Sequence, residues 1–339
     1  MKGISLLMVL ALSYPALGFA KDSSRKHKKE SLPAALDILQ TAMAPTAPSY
    51  EGRVRVDAKE MKVHFEPPNR YRREILNETG RAVQVVISDG KTEWIYDKPH
   101  HKVWQGEPAD PGAKKMRPDE EYGLLKANYE VVISSSERVA RREVWLLSLR
   151  SRFDGALKRL LWVDQKTGLI LKSESFASDG TTASAMEFET VTFPKKEQAA
   201  HFFEFVPPRT AIFVKRAELD FKSLDQAKSA GGMEPRTPSW LPTGFVFESL
   251  DVMPRRGKNI IHYRYSDGVS VLSLFQCPPK ITLDFGASQT RPVRLASGTA
   301  ALARTRDGNV LGWSSGGSQF VLVGPVGADA LERVAQSIR

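Results

Sequence analysis

Histidine, cysteine, serine and acidic side chains are where chemistry would have to begin in this 339-residue chain. His100-His101 follows Asp97 by three residues, and these donor types can ligate zinc. Their neighbours are Pro99 and lysines, however, and no second ligand pair stands at a metal-site spacing, so the trio is expected at a hairpin tip. Cys277 is the only cysteine. It precedes Pro278-Pro279 with no upstream glycine-rich or histidine signature, which predicts a small buried or loop residue rather than a nucleophile. Ser315-Gly-Gly-Ser318 lacks the spaced glycines of a hydrolase elbow. The Ser-Asp-Gly triplets at 88, 178 and 266 have the composition of tight turns, not of ligands. A hydrolase needs an acid, a base and a nucleophile meeting in one cleft, and no such trio is visible. No catalytic set, cofactor or metal is therefore expected.

What the side chains offer instead is a surface for binding. Val54, Val56, Met61, Val63, Phe65, Trp94, Trp104, Trp145 and Trp162 fall at inward positions of predicted strands. They either line an apolar cavity suited to acyl chains or fill an ordinary core. Arg53, Arg55, Arg70, Arg72 and Arg73 would stand near the rim of such a cavity, where guanidinium groups hold phosphates bidentately, or else form a solvated outer face.

The strands that would carry these residues centre on 143–193. Glu143 to Leu149, Arg159 to Val163, Leu169 to Phe176 and Met186 to Phe193 are separated by Asp154-Gly155, Asp164 to Gly168 and Asp179-Gly180, and so predict an antiparallel meander. Its first two strands are apolar on both alternating sets, which predicts a sheet covered on both faces or lining a cavity. Before it, Arg53 to Val56, Met61 to Phe65, Tyr71 to Leu76, Ala82 to Ile87, Glu93 to Tyr96 and Lys102 to Trp104 continue the series. The total is a strongly curved sheet of about ten or more strands, near the size at which open sheets curl. Pro118 and Asp119-Glu-Glu121 predict a short helix ending in Leu124-Leu125, placed to act as a lid.

The chain opens with Lys2, an apolar run from Ile4 to Leu12, and Gly18-Phe-Ala20, the order of a secretory signal cleaved after about Ala20. A transmembrane anchor is the alternative, but the run is shorter than the ~20 residues a spanning helix needs. No cysteine stands at the end of the run, so lipoprotein anchoring is not expected. Cleavage leaves 319 residues, enough for two domains, exported and without a disulfide framework. The net charge is +10. In an exported protein nucleic acid is a poor partner for that excess. Lipid phosphates, an acidic protein segment or an anionic glycolipid suit it better, as does plain solubility.

Residues 21–30 form a basic arm with no apolar side chain. Ser31 caps a helix with Leu32, Leu36, Leu39 and Met43 at helical spacing, ended by Pro45 and Pro48. Residues 31–217 make the first domain, and the polar, breaker-rich stretch 218–238 reads as a linker and hinge. Residues 239–339 make a smaller α+β domain, with strand signals from Phe245 to Gly324 and a final helix, Ala328 to Ile338, that buries Leu331, Val334, Ala335 and Ile338. The fold class is mostly β.

Four motifs carry a resemblance. Arg159-Leu-Leu-Trp-Val-Asp-Gln-Lys-Thr-Gly-Leu-Ile-Leu-Lys-Ser173, Trp240-Leu-Pro-Thr-Gly-Phe245, His262-Tyr-Arg-Tyr-Ser-Asp-Gly-Val-Ser-Val-Leu-Ser-Leu-Phe275, and Val323-Gly-Pro-Val-Gly327 with Ala335-Gln-Ser-Ile338 resemble the RseB/MucB family of periplasmic sigma-E regulators. They occur in the family's order over essentially the whole mature chain. The resemblance implies an N-terminal domain similar to the lipoprotein carriers LolA and LolB, a half-barrel with an apolar cavity, and a smaller C-terminal domain. It implies a partner, the periplasmic segment of a membrane-bound anti-sigma factor of RseA or MucA type, shielded from the protease that starts its degradation. It further implies release by lipopolysaccharide, lipid or mislocalised lipoprotein. Tyr263, Tyr265 and Phe275, in the third motif, are the candidate partner-binding residues. A periplasmic lipid or lipoprotein carrier of LolA/LolB type is the alternative.

Overall fold

The computed structural model describes residues 4–5, 34–43, 47–108, 116–215, 222–255, 257–279, 283–284, 289–305 and 308–338. The expected leader, Ile4 and Ser5 apart, and the basic arm lie outside the described residues. In chain order the elements begin with β1 (Ile4–Ser5), α1 (Ala35–Met43), β2 (Tyr50–Val56), β3 (Lys59–Glu66), β4 (Arg70–Leu76), β5 (Ala82–Asp89), β6 (Glu93–Asp97) and β7 (Lys102–Gly106). There follow α2 (Pro118–Asn128), β8 (Tyr129–Val139), β9 (Arg142–Ser151), β10 (Leu157–Asp164), β11 (Ile170–Phe176), β12 (Thr182–Thr192) and β13 (Ile212–Lys215). The rest are α3 (Leu224–Gly231), β14 (Val246–Arg255), β15 (Lys258–Ser266), β16 (Val271–Cys277), β17 (Leu283–Asp284), β18 (Thr290–Leu295), β19 (Gly298–Thr305), β20 (Gly308–Ser315), β21 (Ser318–Gly324) and α4 (Ala328–Gln336).

The protein is mostly β, built on two large sheets. Twelve strands form the first, in the order β13-β7-β6-β5-β4-β3-β2-β12-β11-β10-β9-β8. The predicted meander is β9 to β12, and its last strand pairs antiparallel with β2, so the two series read from sequence join edge to edge. At that seam Gly52 is required, because a Cβ there would lie 2.0 Å from the Thr190 carbonyl oxygen. Two strands were not expected. β8 breaks its apolar alternation with Ser134-Ser-Ser136, and β13 is four residues long and pairs parallel with β7.

α1 lies on the β8–β10 end of this sheet. Its buried stripe is Ile38, Leu39 and Ala42, packed with Leu147, Leu149 and Leu161. That stripe shares only Leu39 with the spacing read from sequence. Leu36 and Met43 are half-buried, and Leu32 lies outside the described residues. The expected helix after Pro118 is α2, which packs against α1 and β8. The opposite face of the sheet is crossed by residues 195–206, whose Phe203 is buried in a 3-10 turn, Ala200–Phe203.

The second sheet has seven antiparallel strands in the order β14-β15-β16-β21-β20-β19-β18. α3 and α4 bury Ala227, Leu331, Val334 and Ala335 in one core with Tyr263, Leu274, Phe320 and Leu322. The final helix thus buries the face predicted for it, save Ile338, which is half-buried. The stretch read as a linker is different. Ser223 caps α3 by accepting the Gln226 amide at 3.3 Å while Gln226 returns a bond to the Ser223 amide at 2.9 Å, and Gly232 closes it at φ 66°. Ala227 of that helix is fully buried in the second core. Residues 222–231 therefore belong to the second sheet rather than to a free hinge; a polar composition concealed a helix that needs only Ala227 and Gly231 to pack.

Candidate functional site

Cross-strand pairs share a face of a sheet, so the register sorts the candidate residues. Val54 pairs with Met61 and Phe188, Val56 with Met186, Val63 with Gly52 and Arg73, and Phe65 with Tyr50 and Tyr71. Trp104 joins the same face through Ile95 and Val86, and Trp145 through Leu147 and Leu161. Seven of the nine cavity candidates are thus brought to the face on which α1 sits. Trp94 and Trp162 are not. Trp94 pairs with Ile87 and Gln105 and lies against Phe205, and Trp162 pairs with Lys172, whose Nζ stands 4.7 Å above its ring. Their odd and even positions place them on the opposite face, a distinction that apolar character alone does not carry.

The apolar face changes along its length. Under α1 it is sealed, with Leu147 and Leu161 buried. Toward the β7 edge it opens: Met61, Ile75, Ile95 and Trp104 are half-buried.

The five arginines divide the same way. Arg53 is paired with Glu60 at 2.6 Å, and Arg55 with Glu189. Arg70 is paired with the buried Glu66 at 2.7 Å and lies 5.5 Å over Phe203; Arg72 is paired with Glu74 at 2.9 Å and lies 5.5 Å over Phe202. All four stand on the outer face with carboxylates at hand. Arg73 alone projects on the apolar face, 4.4 Å over the ring of Tyr71.

Tyr263, Tyr265 and Phe275 do not form a partner surface in this arrangement. Tyr263 is 0% exposed, its hydroxyl donating to Gln276 at 2.9 Å, and Tyr265 lies in the same core. Phe275 is stacked on His262 at 4.3 Å on the sheet's other face. Alternating strand residues are legible as inward or outward only when it is known which faces are covered, and here both are.

The remaining chemistry-bearing residues are structural. His100 is paired with Asp97 at 2.9 Å at a hairpin tip, and His101 bridges the Tyr96 hydroxyl at 3.1 Å and Thr210 at 2.8 Å, which fastens the chain ahead of β13. Cys277 is buried, and burial pushes its thiol up to about 11. Among the described residues no group of three or more His, Cys, Asp or Glu could hold a metal ion.

Sequence reasoning missed where the two sheets meet. Asn128, at the end of α2, donates from Nδ2 to the carbonyls of Gly244 and Asp267, each at 2.9 Å. Asp267 accepts the amides of Val269 and Ser270 at 2.9 and 2.6 Å, and the Tyr129 hydroxyl as well. Burial pushes the Asp267 carboxyl above its ordinary range, and those hydrogen bonds with nearby Lys158 only partly offset it. The Tyr129 phenol is likewise driven up, first by burial and then by the Asp267 charge. Gly268, at φ 96°, lets the turn lie against Leu125, which a Cβ would meet at 3.0 Å. Further along, Arg304 reaches Asp179, and hydrogen bonds from Thr181 with that guanidinium hold the Asp179 carboxyl at about 2. A cleft of about 680 Å³ opens beside this pair, lined by turns of both sheets. The Ser-Asp-Gly triplets at 178 and 266 are turns as expected, but each also carries a contact between sheets.

Residues 69–205 match the family model of the MucB/RseB N-terminal domain. The sigma-E factor regulatory protein RseB of Haemophilus influenzae is 21% identical over 271 residues, spanning 78% of this chain and 80% of that protein. Residues 69–205 thus carry a MucB/RseB N-terminal domain. Among solved structures, this chain is similar in fold to the MucA/MucB complex of Pseudomonas aeruginosa, at 20% identity, TM-score 0.56, covering 90% of this chain and 98% of that one. A structure of MucB alone gives 21% identity and a TM-score of 0.52 over 90% of this chain and 97% of that one. The two-sheet arrangement is therefore shared with MucB.

Proposed function

We propose that the protein is a non-enzymatic regulator of the sigma-E envelope stress response that grips the periplasmic segment of a membrane-bound anti-sigma factor. The observation that carries this is the two-sheet fold, which matches MucB in complex with the periplasmic part of MucA over 90% of the chain. The protein acts in the periplasm after its leader is removed, and it shields the segment from the protease that begins its degradation. The first sheet serves as a half-barrel with α1 and α2 as its lid, its apolar face receiving acyl chains. Residues 31–217 and 239–339 act as two domains.

Lipopolysaccharide or a mislocalised lipoprotein releases the segment. A ligand indifferent to two arrangements shifts neither, so the amphiphile must favour an arrangement of the sheets that binds the segment poorly. The contacts between the sheets suit such a change, being a few polar bonds and the packing of the 268–269 turn on Leu125 beside a cleft rather than a large apolar interface.

The test is capture, by the mature protein, of the periplasmic segment of the anti-sigma factor encoded beside it, with and without lipopolysaccharide. Capture that lipopolysaccharide abolishes is expected. No capture ends the proposal, and capture that lipopolysaccharide leaves unchanged ends the switch. A carrier of LolA/LolB type would use the same apolar face and capture no segment.

A further inference from the structure

A single lane of cross-strand pairs runs over the apolar face of the first sheet at right angles to its strands. It passes from Gly52 through Val63, Arg73, Val86, Ile95 and Trp104 to Val214. Arg73 is its one charged member. The side chain is half-buried, and among the described residues no carboxylate forms an ion pair with it, unlike the four arginines on the outer face. Its guanidinium stands 4.4 Å over the Tyr71 ring, whose hydroxyl donates to Glu93. Burial pushes the Tyr50 phenol up and the Arg73 charge pulls it partly back, so the guanidinium also acts within electrostatic reach of Tyr50.

An aromatic face offsets only a small part of what a cation loses on leaving water. A partly desolvated guanidinium, planar and forked, is best completed by a carboxylate, phosphate or sulfate. From Arg73 toward the β7 edge, Val86, Ile95 and Trp104 are one strand apart each, giving an apolar floor roughly 14 Å long at ~4.8 Å per strand. Ser88 and Glu93 flank the floor on one side and Gln84, Asp97 and Lys102 on the other, with Lys102 Nζ 4.6 Å over the Trp104 ring at its far end, so it is about one side chain wide. The width fits one alkyl chain, not a broad apolar surface.

We propose that Arg73 is the anion-anchoring residue of this lane, holding the acidic group of a single-chain amphiphile whose tail lies over Val86 and Ile95 and ends at Trp104. This deepens the proposal that the apolar face receives acyl chains and rests on it. It also assigns Arg53, Arg55, Arg70 and Arg72 no part in ligand binding.

The experiment is calorimetric titration of the mature protein with dodecyl phosphate, dodecyl maltoside and inorganic phosphate, all below the micellar range. R73Q and R73M are compared with R53Q, and the melting temperature of each variant is recorded. Two substitutions at Arg73 are used because Met preserves the packing over Tyr71 while removing the charge. Wild type is expected to bind dodecyl phosphate at least tenfold tighter than dodecyl maltoside and to bind inorganic phosphate weakly. R73Q and R73M lose that preference and keep dodecyl maltoside binding, while R53Q matches wild type. Inorganic phosphate binding as tightly as dodecyl phosphate overturns the lane in favour of a free-anion site. An unchanged preference in R73Q and R73M overturns the anchor alone. Binding of neither chained probe by wild type overturns the apolar-face proposal together with the anchor.

Discussion

At the scale of single residues, burial decides what the chemistry-bearing side chains can do. The Cys277 thiol, sealed in the second sheet and raised to about 11, holds very little thiolate at neutral pH. Iodoacetamide at pH 7.5 is expected to leave it unmodified in the native protein and to alkylate it in urea; rapid native labelling would show the site to be open. Gly52 is fixed by distance rather than by dihedral angle. Gly52→Ala drives a methyl into the Thr190 carbonyl and is expected to destabilise the protein by about 3 kcal/mol, as overpacking does, read as a lowered urea midpoint. Which residues are apolar, and where turns fall, was legible in the sequence. Which side of a strand each residue takes was not, because Trp94 and Trp104 differ only in register and both stand among apolar neighbours. The burial of Tyr263, Tyr265 and Phe275 was hidden for the same reason, since β15 and β16 are covered on both faces.

At the scale of elements, alternation and turn chemistry predicted most strands. The meander β9–β12, the series β2–β7 and the seven strands β14–β16 and β18–β21 all lie where the sequence places them. The two unexpected strands of the first sheet lack that signal. β8 carries a serine run, and β13 depends on a non-local partner that no window of sequence contains. α3 was hidden by a composition suited to linkers. The helices are integral to their cores, so Leu39→Ala, which empties a site 1% exposed beneath α1, is expected to cost about 2–5 kcal/mol by chemical denaturation. A smaller loss would mean that α1 rides loosely on the sheet. Asn128→Ala at the end of α2 leaves the carbonyls of Gly244 and Asp267 without a donor, a cost of about 1–3 kcal/mol to the contact between sheets. Faster trypsin cleavage of the variant than of the wild type is the expected readout, with little change in the melting of either core.

At the scale of the whole molecule, the junction of the two sheets was the least legible feature, since it joins residues more than a hundred positions apart. It also carries a pH dependence. The Asp267 carboxyl stands above its ordinary 3.8 because the docked arrangement buries it. Docking therefore binds the proton more tightly than separation does. The stabilisation is fully present below the ordinary 3.8 and is lost as the pH rises from there through the raised value. Asp267→Asn removes the titrating group, and its stability is expected to lose that dependence; an unchanged pH profile would place the carboxyl outside the junction. The Asp179–Arg304 pair is fully present at neutral pH, because a carboxyl held at about 2 loses its charge only in strong acid.

The central claim is that partner and amphiphile favour different arrangements of the two sheets. It is tested most directly by the distance across the cleft, between spin labels at Ser178→Cys and Asp329→Cys in protein whose buried Cys277 is left untouched. The anti-sigma segment is expected to draw the distances into one narrow distribution, and lipopolysaccharide to move that distribution to a different mean as the segment leaves. A single distribution that neither ligand alters would contradict the account.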